Sequence, residues 1–141
     1  MPKRQWMLLL LPLLLGVTLG TGCAPVLTVV QGAAEAPGVA RVELRKIKKD
    51  LIDLQVINTS PQPLTVNRDG FYLEGPSGAL ARIPGRGRHA YFVLPGGVRV
   101  VRMKFDRRAL PHGVQVQLSM PQAILIGDQP VPMPPILLST Y

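Results

Sequence analysis

From residue 39 to the C-terminus, hydrophobic residues recur at every second position in short runs. Val42 and Leu44 alternate with Arg41, Glu43 and Arg45, and Ile52, Leu54 and Val56 alternate with Asp53 and Gln55. Period two is the side-chain repeat of a half-buried strand, so these runs about the polar turn Lys48-Lys49-Asp50 predict a hairpin. Asn58 to Pro63 is a loop, because its two prolines exclude a central strand. Leu64 and Val66 begin the next strand. Asn67-Arg68-Asp69-Gly70 reads as a turn whose Asp-Gly pair supplies positive φ. Strands follow at Phe71–Leu73 and Ala79–Arg82, joined by Gly75-Pro76-Ser77-Gly78. After the basic loop 83–89, strands are expected at Ala90–Leu94 and Val98–Phe105. A hairpin between these two would place Arg102 and Lys104 on one face. Asp106 to Gly113 is a polar loop with room for one helical turn. Val114 to Leu118 alternates again, Ala123–Ile126 and Val131–Met133 flank a turn at Gly127-Asp128-Gln129-Pro130, and Ile136–Leu138 is the last strand.

Short strands spaced near 8–12 residues, with no long helical pattern, predict an all-β antiparallel sandwich over 39–141. The arrangement resembles bacterial envelope domains of the immunoglobulin-like class. Among these is the late-embryogenesis-abundant (water-stress) type, in which an Asn-containing turn follows a strand like Leu51–Asn58. The resemblance implies an immunoglobulin-like sandwich and carries no functional residue over to this chain.

The first 22 residues follow a different pattern. Lys3 and Arg4 precede an apolar run from Trp6 to Val17, broken only by Pro12 and Gly16. That run is shorter than the roughly 20 residues a bilayer span needs. A basic start, a short apolar core and small residues at the end mark a cleavable secretory signal. Leu19-Gly20-Thr21-Gly22-Cys23 resembles the lipobox of bacterial lipoproteins. In that family the cysteine thiol receives a diacylglyceryl group, and a peptidase then cuts just before the cysteine. Gly22 and Thr21 fit the positions before the cut. Gly20 stands where leucine is usual, and the leucine sits one position earlier at Leu19. Cys23 is the only cysteine of the chain, which leaves an odd thiol in an exported protein. Lipidation of Cys23 accounts for it.

The resemblance implies a membrane anchor through covalent lipid, such as diacylglycerol and palmitate chains. Ala24, rather than Asp, follows the cysteine, and this favours the outer membrane, facing the periplasm. Residues 23–38 hold prolines, glycines and alanines with a single charge, and read as a flexible tether. About 15 extended residues would reach roughly 50 Å. Val26–Val30 is β-prone and is alternatively a first strand.

Two of the 16 Lys and Arg lie in the signal and none of the eight acids does, so the chain from Cys23 onward has a formal charge of +6. Such a balance favours anionic neighbours. Arg82, Arg86, Arg88, Arg102 and Lys104 are the candidate anion-binding residues, since guanidinium forks suit phosphate and carboxylate groups. An anionic polysaccharide or lipid is the matching ligand. The competing reading is a solvated outer strand face. Nucleic acid is not expected, because no stacking aromatics accompany the arginines.

Little else points to chemistry. Ser60, Ser77, Ser119 and Ser139 lie in no Gly-x-Ser-x-Gly elbow, and His89 and His112 sit in loops beside turn residues. The acids fall mostly at turns, and no Cys or His spacing suits a metal. The expectation is therefore a non-enzymatic domain without cofactor or metal. Its work would be contact with an envelope protein partner or binding of an anionic envelope polymer such as lipopolysaccharide or peptidoglycan. Metabolic labelling with palmitate tests the anchor. Cys23→Ser is expected to abolish the label and leave uncleaved precursor, whereas normal cleavage and release of that variant would sink the lipoprotein reading.

Overall fold

The computed structural model describes residues 23–141. The signal peptide and the lipobox positions Leu19, Gly20, Thr21 and Gly22 lie outside the described residues. Thirteen strands follow in chain order: β1 (Leu27–Gln31), β2 (Ala33–Ala36), β3 (Ala40–Lys48), β4 (Leu51–Asn58), β5 (Leu64–Asn67), β6 (Tyr72–Gly75), β7 (Gly78–Ala81), β8 (Ala90–Val93), β9 (Val98–Lys104), β10 (Gln115–Ser119), β11 (Ile124–Ile126), β12 (Gln129–Pro130) and β13 (Ile136–Thr140). Single 3₁₀ turns cover Arg68–Gly70 and Arg107–Ala109. No helix among the described residues is long and apolar enough to cross a membrane.

The strands form three antiparallel sheets, ordered β1-β13-β10-β6-β7, β2-β3-β4-β9 and β12-β11-β5-β8. The chain passes from the first sheet to the second after β1, returns by way of β5 to β6, passes by way of β8 to β9, and re-enters the first sheet at β10. This gives the Greek-key wiring of an immunoglobulin-like sandwich, with β3-β4-β9 facing β13-β10-β6-β7. The all-β sandwich expected from period two is therefore the fold. One core fills it. Val42, Ile52, Leu54, Val56, Val101 and Met103 from one sheet meet Leu73, Val116, Leu118, Ile136 and Leu138 from the other, all fully buried. These are the alternating apolar positions of the sequence. Each large side chain buried contributes about 1.5–3 kcal/mol.

The hairpins β3–β4 and β6–β7 form as the pattern predicts; the last hairpin is tighter than expected, since β11 pairs with Gln129–Pro130, inside the expected turn, and 131–133 is not a strand. Lys49, at the tip of β3–β4, takes φ 54°, and Gly127 takes φ 59° at the tip of β11–β12.

Three expectations are corrected. First, 23–38 is not a tether. β1 pairs with β13, matching Leu27 with Thr140 and Val29 with Leu138, while β2 pairs with β3. Leu27 and Ala34 are buried, and the chain changes sheet at Gly32, whose carbonyl accepts from the Leu44 amide at 2.7 Å. The alanines that suggested flexibility are instead small enough to pack an edge strand over the core. Second, β8 and β9 are not a hairpin: β8 pairs with β5, and β9 with β4. The Pro95-Gly96-Gly97 turn is held from outside by Asn58, whose carbonyl accepts from Gly96 at 2.9 Å and whose amide donates to Gly97 at 3.0 Å. The two strands leave that turn into different sheets. Third, Gly70 does not supply positive φ. It ends a 3₁₀ turn capped by the Asn67 side chain, and glycine is required there by close approach. A Cβ at Gly70 would lie 2.5 Å from the Gln122 backbone.

Asn58 joins three segments. Its Nδ2 donates to Gln62 O at 2.7 Å and Val93 O at 2.8 Å, and its Oδ1 accepts from the Ser60 amide at 2.9 Å and hydroxyl at 2.8 Å. Asn58 is fully buried, and the two donors and the acceptor oxygen of its side chain are all engaged. Asn58→Ala would strand several buried polar groups at about 1–3 kcal/mol each. Urea unfolding should show a loss of about 3 kcal/mol, and a loss below about 0.5 kcal/mol, typical of a surface site, would refute this role.

Candidate functional site

The basic residues singled out from the sequence do not form one solvated face. Arg82 points inward from the end of β7. Its side chain is 4 % exposed, and its Nε donates to Asp69 Oδ1 at 2.7 Å. Asp69 lies in the 3₁₀ turn after β5 and also faces His89, whose Nδ1 is 3.2 Å from both Asp69 Oδ2 and Arg82 Nη2. Arg102 projects from β9 onto Asp53 of β4, its cross-strand partner in register. The fork is two-pronged, with Nε to Oδ1 at 2.9 Å and Nη2 to Oδ2 at 3.2 Å. This hydrogen bond, and then the charge of Asp53, raise the pKa of Arg102 above its ordinary value. Arg82 and Arg102 are thus partnered within the fold, while Arg86, Arg88 and Lys104 are exposed.

The structure adds an arginine that sequence reasoning missed. Arg68 was placed in a turn, where exposure is the ordinary expectation, yet it is 8 % exposed. Its backbone amide donates to His89 O at 2.8 Å and its Nη1 to Arg88 O at 3.1 Å, so it fastens the start of the turn to the end of the basic loop. Its Nε has no hydrogen-bond partner among the described residues. Gly87 lies over the guanidinium at φ 110°, and a Cβ there would stand 3.1 Å from Arg68 Nη1. The Gly85-Arg86-Gly87-Arg88 alternation after Pro84 was the available signal: glycine lets a backbone run across a flat cation.

Arg68 opens into a cavity of about 510 Å³ between the 83–87 loop, Tyr91 and the last turn of β9. The Ile83 amide donates to Lys104 O at 2.7 Å and fastens the loop to the strand edge. Arg68, Arg86, Arg102 and Lys104 line it with Leu51, Ile83, Pro84, Tyr91 and Met103, and no carboxylate does. Such a lining suits an anion attached to a less polar body.

A second feature adjoins it. Phe92 is 75 % exposed, Leu94 68 %, Val98 50 % and Val100 42 %. β8 and β9 are each the last strand of their sheet, so these side chains gather where two sheet edges meet. Val98 and Val100 share the outward side of β9 with Arg102 and Lys104, making that strand apolar at one end and cationic at the other.

Cys23 is exposed and held against the body. Its carbonyl lies 2.9 Å from His112 Nε2, and His112 Nδ1 lies 2.6 Å from Tyr141 O. Pro25 is buried, and Val26 O accepts from the Tyr141 amide at 3.0 Å.

No protein-family model matches the chain, and no curated protein matches its sequence. A solved structure similar to it is that of YcdA from Bacillus subtilis, described as a candidate lipoprotein. The identity is 15%, the TM-score 0.48, and the match covers 77% of this chain and 38% of the other, so the chain spans well under half the length of that protein.

The two ion pairs around Asp69 and Asp106 differ in burial, and this orders their expected effects. Asp69→Ala leaves Arg82 buried without its carboxylate and should lower stability by about 3 kcal/mol. Asp106→Ala removes an exposed partner of Arg108 and should change stability by less than about 0.5 kcal/mol. Equal urea midpoints for the two variants would contradict the inward placement of Arg82.

Proposed function

We propose that this chain is a lipid-anchored, non-catalytic β-sandwich of the cell envelope that acts as an accessory or assembly subunit through protein–protein contact. Cys23 carries the lipid in this reading, and the outer membrane is its destination, with the domain facing the periplasm. The observation that carries the contact reading is the cluster Phe92, Leu94, Val98 and Val100 at adjoining sheet edges. Sheet edges are ordinarily blunted by charge, proline or cover, because unpaired strands recruit other chains. An aromatic three-quarters exposed on such an edge is the composition of a contact surface rather than of a solvated one.

A second reading is binding of an anionic envelope polymer. The acid-free cavity lined by Arg68, Arg86, Arg102 and Lys104 favours it.

Site-directed photo-crosslinking from position 92 in intact cells separates the two. A single defined protein adduct is expected, and it should weaken at least about tenfold in a Val98→Lys, Val100→Lys variant whose melting temperature is unchanged. Adducts that are diffuse, or indifferent to those two changes, would overturn the protein-contact reading. Salt-sensitive retention on lipopolysaccharide or peptidoglycan, lost with Arg86→Ala and Arg88→Ala together, would instead favour the polymer.

A further inference from the structure

We infer that the cavity between the 83–87 loop and β9 is a binding site for a phosphate ester, with Arg68 as its buried anchoring cation. The inference deepens the anion-binding reading above and is independent of the protein-contact reading.

Of the arginines at this place, Arg82 has Asp69 and Arg102 has Asp53. Arg68 has neither, although it is the most enclosed of the cations lining the cavity. A guanidinium withdrawn from water with only a carbonyl partner is strongly disfavoured unless an anion reaches it. Its Nε–H is buried and uncommitted among the described residues. Nη1 is occupied by Arg88 O and overlain by Gly87. Nε–H is thus the guanidinium donor left without a partner beside the cavity, and arginine grips oxyanions with its Nε and Nη donors in parallel.

The remaining charges narrow the ligand. Arg86 reaches the cavity from the loop and Lys104 from β9, and both are exposed and without a salt-bridge partner among the described residues. With Arg68 they supply three uncompensated cations on three walls. A planar carboxylate has two oxygens and one charge to share among them. A phosphate monoester has three terminal oxygens and close to two charges, and so matches their number and their spread. Tyr91, Ile83 and Met103 leave an apolar flank for the group that carries the phosphate. The shared chemistry is a phosphate monoester, whether on a sugar or on a glycerol-type head group.

Isothermal titration of the mature, lipidated protein in non-ionic detergent tests this, with glucose 6-phosphate, glycerol 3-phosphate, inorganic phosphate and glucuronate as probes. Saturable binding of at least one phosphate ester is expected, tighter than glucuronate by about tenfold or more. The stronger of the two esters identifies the source as sugar or head group. Arg68→Met should abolish binding. Because that variant alters a buried site, Arg86→Ala with Lys104→Ala provides the control: both residues are exposed, melting without phosphate should not change, and affinity should fall about tenfold. No saturable binding of any phosphate probe, glucuronate binding as tight as the esters, or full affinity in the double variant would each overturn the inference. Retention on whole polymer is a separate measurement, so the cavity can fail while the polymer reading stands.

Discussion

Antiparallel pairing of β1 with β13 brings both described ends of the chain to one end of the sandwich, and the placement of everything else relative to an anchor depends on it. A strand ladder tolerates little slack. Leu27 is buried in register with Thr140, and Cys23 stands only four residues before it. Those residues reach at most about 14 Å, against the roughly 50 Å of a free tether. Pro25 is buried and His112 bridges the carbonyls of Cys23 and Tyr141, so even this short reach is mostly taken up. A lipid on Cys23 would hold the sandwich end close to the head groups. Val26 and Tyr141 are exposed there, and a tyrosine ring suits that interfacial layer.

The two sheet edges and the cavity follow from the same wiring. Because β9 ends its sheet and the 83–87 loop is hydrogen-bonded to it at Lys104, one side of the strand stays open along Val98, Val100 and Arg102. The cavity forms where the loop stands off from β9, and Arg68 closes its floor by bonding to the loop backbone. Contact surface and cationic cavity are therefore neighbours along β9.

Local pattern revealed the sandwich but not its assembly. Period two at 42–44, 52–56 and 101–105 marks inward positions because alternation is a property of one strand and its immediate face. The hairpins with tight turns were legible for the same reason. What joins distant segments was not. The β1–β13 pairing spans nearly the whole described chain, and β1 is hidden by the alanines and glycines of 32–38 that follow it, which read as flexible without a partner strand. The Gly96-Gly97 turn looks like a hairpin tip, yet its bonds go to Asn58, far back in sequence. The site was legible only in part. Arg86 and Lys104 do line a cavity, while Arg82 is withdrawn onto Asp69, and Arg68, the most enclosed cation of the cavity lining, sat in a turn motif that gave no sign of burial. Charge in sequence shows where cations are, not which of them already have a carboxylate.

The central claim is that the segment after Cys23 is a strand of the fold and not a leash. Hydrogen exchange on the mature protein in lipid vesicles measures this directly at the amides of residues 27–31. Pairing with β13 should make the bonded amides of that segment exchange on the timescale of β10 and β13 themselves. Exchange of residues 27–31 at the rate of an open chain, with β10 and β13 still protected, would contradict it.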